Sequence, residues 1–148
     1  MTGEKVNIFY NKFKRSVPKS SQESIRTDLA KVPDECEAEI KRLPTRSLLL
    51  TLVLSIFTLG LGVDRFYLGD IGMGIAKGAF RLVTAILFIL VNFTFAPPRG
   101  IMVFVNILAI VSTIWYIADW FYTYKNAKTL NGNLVSQYLH QQLYADKI

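Results

Sequence analysis

The chain has 148 residues, with 17 Lys and Arg against 11 Asp and Glu, a net charge of +6, and 51% hydrophobic residues. The charges are segregated: Leu48 to Ala118 holds only Asp64, Arg65, Asp70, Lys77, Arg81 and Arg99, and the other 22 flank that block. Such segregation argues against a soluble fold, and the absence of a basic stripe beside a folded core argues against a nucleic-acid partner.

The first residues, MTGEKVNIFYNKFKR, contain no apolar h-region, so a cleavable signal peptide is not expected. Val6, Phe9 and Phe13 share one helical face, and Pro18 ends that stretch. Ser20 with Glu23 reads as a capping box ahead of Ile25, Leu29 and Val32. Pro33-Asp34 restarts a helix carrying Cys36, Ile40 and Leu43 at the same spacing, and Pro44 stops it. Residues 1–45 therefore read as an N-terminal segment of three short amphipathic helices. They form either a cap, packed on itself or on the membrane surface, or a docking module for a protein partner. The residues do not separate the two.

Ser47 to Val63 is an uncharged run of 17 residues, about 25 Å as a helix and just enough to cross a thin bilayer. It opens a segment, 46–124, that predicts three transmembrane helices. The stretch after it, Gly60 to Lys77, is rich in glycine. Gly60, Gly62, Gly72, Gly74 and Gly78 weaken a helix but permit close approach of helices in lipid, and they are the candidate helix-packing residues. A phosphate loop needs a preceding strand and a Gly-Lys-Ser/Thr ending, and neither is present.

The pattern Gly-x-Gly-Val-Asp-Arg-Phe-Tyr-Leu-Gly-Asp-x-Gly-x-Gly-Ile-x-Lys, at Gly60 to Lys77, with Ile114, Trp115 and Asp119 later, resembles the TM-two (two-transmembrane) domain. The N-terminal Glu4 to Phe9 is similar to the start of small members from Bacteroidales-type bacteria. The resemblance implies a non-enzymatic integral membrane protein without a cofactor, in a bacterial inner membrane, and it leaves the biological role open. The apolar length in residues 78–113 departs from the two-crossing pattern and points to three crossings.

The second span is Leu82 to Ala96, lengthened toward Ile71 with Lys77 and Arg81 reaching for the head groups. Ala96-Pro97-Pro98-Arg99-Gly100 is a tight break that makes a helical hairpin. The third span, Ile101 to Ala118, ends in Trp115, Tyr116, Trp120, Phe121, Tyr122 and Tyr124, an interfacial aromatic belt. Asn131-Gly132-Asn133 then predicts a break, followed by a C-terminal amphipathic helix within 125–148 whose stripe, Leu134, Val135, Tyr138, Leu139 and Leu143, is expected to pack against the rest of the protein or a sister subunit. The fold class expected is an all-α integral membrane protein: helix, Gly-rich Asp-Arg-Phe loop and helical hairpin, with short amphipathic helices at both ends.

With three crossings, Asp64, Arg65, Lys77, Arg81 and Asp119 gather at one membrane boundary. Arg65 with Asp119 and Asp64 with Lys77 are the natural pairs. Either they staple the helices, or they belong to an ion path with Asn92 and Asn106 deeper in the spans, or the exposed loop recognises a partner. Cys36 and His140 are the single Cys and single His, so no intrachain disulfide forms and no metal site of clustered ligands is available. No Ser/His/Asp set or pair of catalytic carboxylates stands out. The expected function is a non-enzymatic membrane scaffold or binding partner that self-associates through its glycines and C-terminal stripe; the alternative is an oligomeric channel or pore used in bacterial competition or defence. Lys and Arg divide five against five across three spans, so the positive-inside rule sets no orientation.

Overall fold

The computed structural model describes residues 1–58, 60–93 and 97–144. Among them every regular element is helical. The chain divides into two compact units, one of residues 49–124 and one built from both flanks, Met1–Leu48 and the part of the last helix from Lys125 onward.

The flanking unit holds α1 (Gly3–Lys14), α2 (Lys19–Lys31), a 3-10 turn (Asp34–Cys36) and α3 (Glu37–Arg42). Their apolar stripes close on one core: Val6, Phe9, Phe13, Val17, Ile25, Leu29, Val32 and Ile40, completed by Val135 and Leu139 of the last helix. Cys36 and Leu43 pack at its edge. The capping box does not form: Pro18 is the N-cap of α2 and makes no side-chain cap. Proline already presets the backbone for a helix entry, so the hydroxyl of Ser20 is not needed there.

The expected break at Asn131-Gly132-Asn133 does not occur. α7 runs unbroken from Arg99 to Tyr144, 46 residues. Asn131 is buried because its amide accepts from the Arg46 N–H at 2.7 Å and donates to the carbonyls of Arg46 and Ser16 at 2.9 and 3.2 Å. A Cβ on Gly132 would stand 2.9 Å from Cδ of Pro18. Asn-Gly marks a place where another segment closes onto the helix, and that packing overrides the weak helix propensity of both residues. Of the two uses expected for the C-terminal stripe, packing on the rest of the protein or on a sister subunit, the first is found: Val135 and Leu139 are buried, with Leu134, Tyr138 and Leu143 packed against the same core. Tyr138 donates to Glu39 at 2.5 Å, and burial, then that carboxylate, pushes its phenol above the usual tyrosine range.

In the other unit, α4 (Leu48–Phe57) is followed by α5 (Val63–Leu68), α6 (Ile71–Phe93) and the first half of α7. α6 and α7 are long and apolar enough to cross a membrane, and only 11% of each apolar window is buried within the protein. A soluble core helix would be covered, whereas Leu82, Ile89, Ile110 and Trp115 lie half or more exposed. Helix stops at Phe93 and resumes at Arg99, with Pro97 and Pro98 between; Ala96, part of the expected break, lies outside the described residues.

Two elements differ from expectation. The first apolar run makes a helix of 10 residues, about 15 Å, short of the ~30 Å hydrocarbon core. It ends beside Tyr116, whose hydroxyl donates to the carbonyls of Ser55 and Ile56 at 2.8 and 2.9 Å. That point is about 26 Å along α7 from Arg99, so α4 does not reach the hairpin tip. The Asp-Arg-Phe segment, expected as a loop, is the helix α5, bounded by Gly62 and Gly69 with φ of +83° and +86°. These left-handed positions let the chain reverse at both ends of one short helix.

Candidate functional site

α5 stands where α4 and the two long helices meet, and it carries the charges inward. Asp64 is fully buried and Arg65 is 2% exposed. Lys77, from the second turn of α6, reaches both carboxylate oxygens of Asp64 at 3.0 and 2.8 Å, and Asp119 of α7 at 2.5 Å. Arg65 donates to the other oxygen of Asp119. Its Nε lies 3.9 Å from Asp64, and its guanidinium sits 5.0 Å from the Tyr122 ring centroid. The result is a closed ring of two acids and two bases with no net charge.

Hydroxyls complete it. Thr123 donates to Asp64 at 3.1 Å and lies 3.4 Å from Asp119, and Ser55 of α4 donates to Asp64 at 3.4 Å. Four helices thus converge on two carboxylates. Buried ionic groups are tolerable when paired and hydrogen-bonded in this way, and removal of one member leaves an uncompensated charge. Among the described residues, the buried polar atoms without a hydrogen-bond partner are Arg65 Nε and Trp120 Nε1.

Of the five charges expected to gather, four do. Arg81 does not join them: its Nη1 donates to the Ser112 hydroxyl at 3.1 Å and its guanidinium lies 5.6 Å from the Tyr116 ring centroid. One helical turn beyond Lys77 on α6, it faces a part of α7 that offers a hydroxyl and no acid. Asn92 and Asn106 are not brought to the site. Each amide donates to the carbonyl four residues back in its own helix, Phe88 at 2.9 Å and Met102 at 2.8 Å. Ser55, Ser112, Tyr116 and Thr123 were missed in the sequence. The signal for Thr123 was its place four residues after Asp119, on the same helix face.

The glycines hold the charged helix in place. A Cβ on Gly62 would fall 2.2 Å from the Gly74 carbonyl oxygen, one on Gly78 2.7 Å from that of Leu61, and one on Gly60 2.9 Å from the Tyr116 ring. A Cβ on Gly74 would fall 3.0 Å from the Phe66 ring, while one on Gly72 would meet open space. Four of the five expected packing glycines therefore serve contacts within one chain.

The apolar, outward-facing long helices around a buried ionic ring define a helical membrane protein. Residues 44–95 match the family model of the TM2 domain, and the chain carries that domain there. The match covers α4, α5 and α6; Ile114, Trp115 and Asp119 lie beyond it. The helix that supplies Asp119, Thr123, Tyr116 and Ser112 is therefore outside the matched domain, although it closes the site. No curated protein and no solved structure matches the chain.

Proposed function

We propose that this is a non-enzymatic membrane scaffold: a hairpin of two crossings, α6 and α7, locked by the ionic ring and carrying a folded unit built from both flanks. The observation that carries the reading is the closure of the ring. Each carboxylate of Asp64 and Asp119 is paired with bases and hydroxyls, which leaves the ring structural and offers no free acid or base for catalysis or proton relay. Asn92 and Asn106 are engaged with their own helices, which removes the polar residues a pore would draw on.

Two crossings follow from the flanks. Residues before α4 and residues after Lys125 share one core, so the chain between them leaves and returns on the same side of the bilayer. Arg99 begins α7 beside the hairpin tip, whereas Arg65 and Lys77 lie near the opposite end of α6 and Lys125 and Lys128 follow the apolar part of α7. The positive-inside rule then puts the flanking unit in the cytoplasm, consistent with a bacterial inner membrane. Partner binding falls to the surface of the flanking unit. Self-association falls to the lipid-facing sides of α6 and α7, since the inward glycines and the C-terminal stripe are occupied.

Ion flux in proteoliposomes tests the scaffold against the pore. The scaffold predicts flux no greater than in protein-free vesicles. Flux that Asn92→Leu or Asn106→Leu reduces would replace this reading with the pore.

A further inference from the structure

Arg81 is the charge that the ionic ring leaves over. Asp64, Arg65, Lys77 and Asp119 cancel one another, and among the described residues no acid pairs with Arg81; its partners are a hydroxyl and an aromatic ring. Its depth makes this costly. Ser112 precedes Asp119 by seven residues on α7, so the Arg81 guanidinium lies about 10 Å closer to the hairpin tip than the ring does. A charge held within hydrocarbon costs roughly 2.5–3.5 kcal/mol on insertion scales, and such residues mark a place where a counter-group is supplied.

A cavity of about 350 Å³ opens beside it. Its lining includes Arg65, Lys77 and Asp119 of the ring, Arg81 and Ser112, and the apolar side chains of Phe80 and Trp115. The volume is at the small end of the range for ligand pockets, roughly 300–1,000 Å³. Phe80 is 47% exposed and Trp115 66%, so the wall continues into surface that acyl chains cover. Apolar walls with one surplus positive charge match an amphiphile with an anionic head. The geometry points to this cavity as a binding site for the anionic head of a bilayer phospholipid. The phosphate takes the Arg81 guanidinium and the Ser112 hydroxyl, and the first chain carbons lie along Phe80 and Trp115. A choline head is disfavoured, because its quaternary ammonium would meet Arg65, Lys77 and Arg81 in the same space. The site rests on membrane residence and is independent of whether the protein is a scaffold or a pore.

The test uses the full chain with Trp120→Phe, which leaves Trp115 as the single tryptophan. In phosphatidylcholine nanodiscs, spin-labelled phosphatidylglycerol is compared with identically labelled phosphatidylcholine as a quencher of Trp115. The expected preference for the anionic lipid is about fivefold, the roughly 1 kcal/mol one basic side chain contributes toward such a lipid. Arg81→Gln should abolish it and Arg81→Lys should keep part of it. Equal quenching by the two lipids, or a preference that survives Arg81→Gln, overturns the proposal. Loss of the preference on adding inorganic phosphate overturns the lipid assignment in favour of a soluble anion. Should Arg81→Gln fail to insert, native mass spectrometry of the unmutated chain from mixed phosphatidylglycerol–phosphatidylcholine discs decides. One retained phosphatidylglycerol per chain supports the site, and none overturns it.

Discussion

Asp119 accepts from Arg65 through one oxygen and from Lys77 through the other, so its loss leaves Arg65 with only the 3.9 Å approach to Asp64 and Lys77 with Asp64 alone. Breaking a buried pair from one side costs about 3–5 kcal/mol. Asp119→Ala should therefore lower thermal stability in detergent more than Arg65→Ala, which leaves Asp119 still paired with Lys77. The double variant should fall short of the sum of the two, by about 0.5–3 kcal/mol of coupling. Strict additivity in that cycle would contradict the ring. The pairings of Arg65 with Asp119 and of Asp64 with Lys77 were legible in the sequence, because a few opposite charges in a long apolar block have to meet one another. The bridge from Lys77 to Asp119 and the separate fate of Arg81 were not. They depend on which turn of α6 lies against which turn of α7, a register that no local pattern encodes.

The elements were legible to different degrees, for physical reasons. Heptad-like spacing of apolar residues located α1, α2 and α3, since each buries one stripe in a common core. Apolar length misjudged the first run, because a segment that ends against Tyr116 and reverses at Gly62 has the same composition as one that crosses. Local turn signals misjudged Asn131-Gly132-Asn133 for the opposite reason: there tertiary packing uses Asn and Gly inside a helix. The glycines allow a graded test. Gly62→Ala meets the Gly74 carbonyl from a left-handed backbone, and Gly78→Ala meets that of Leu61, so both should lower the melting temperature. Gly72→Ala has open space and should hold or raise it, since alanine is favoured over glycine in a helix by up to about 1 kcal/mol. A loss at Gly72 equal to that at Gly62 would mean the α5–α6 packing is wrong.

At the scale of the molecule, the proposed topology rests on the flanks. Phe9, Phe13 and Leu29 from before the apolar block, and Val135 and Leu139 from after it, form one core, and a core cannot be assembled across a bilayer. In the proposed reading, the two helices of spanning length account for the exit and the return, and α4, too short to cross, stays on the side it started from. Labelling of single cysteines with a membrane-impermeant maleimide in sealed membranes tests this most directly. In a Cys36→Ser background, cysteines are placed at the exposed positions Gly3, Gly100 and Asn133. The two-crossing account predicts that Gly3→Cys and Asn133→Cys are protected together from the outside and Gly100→Cys is labelled there. Labelling that puts positions 3 and 133 on opposite sides would contradict it.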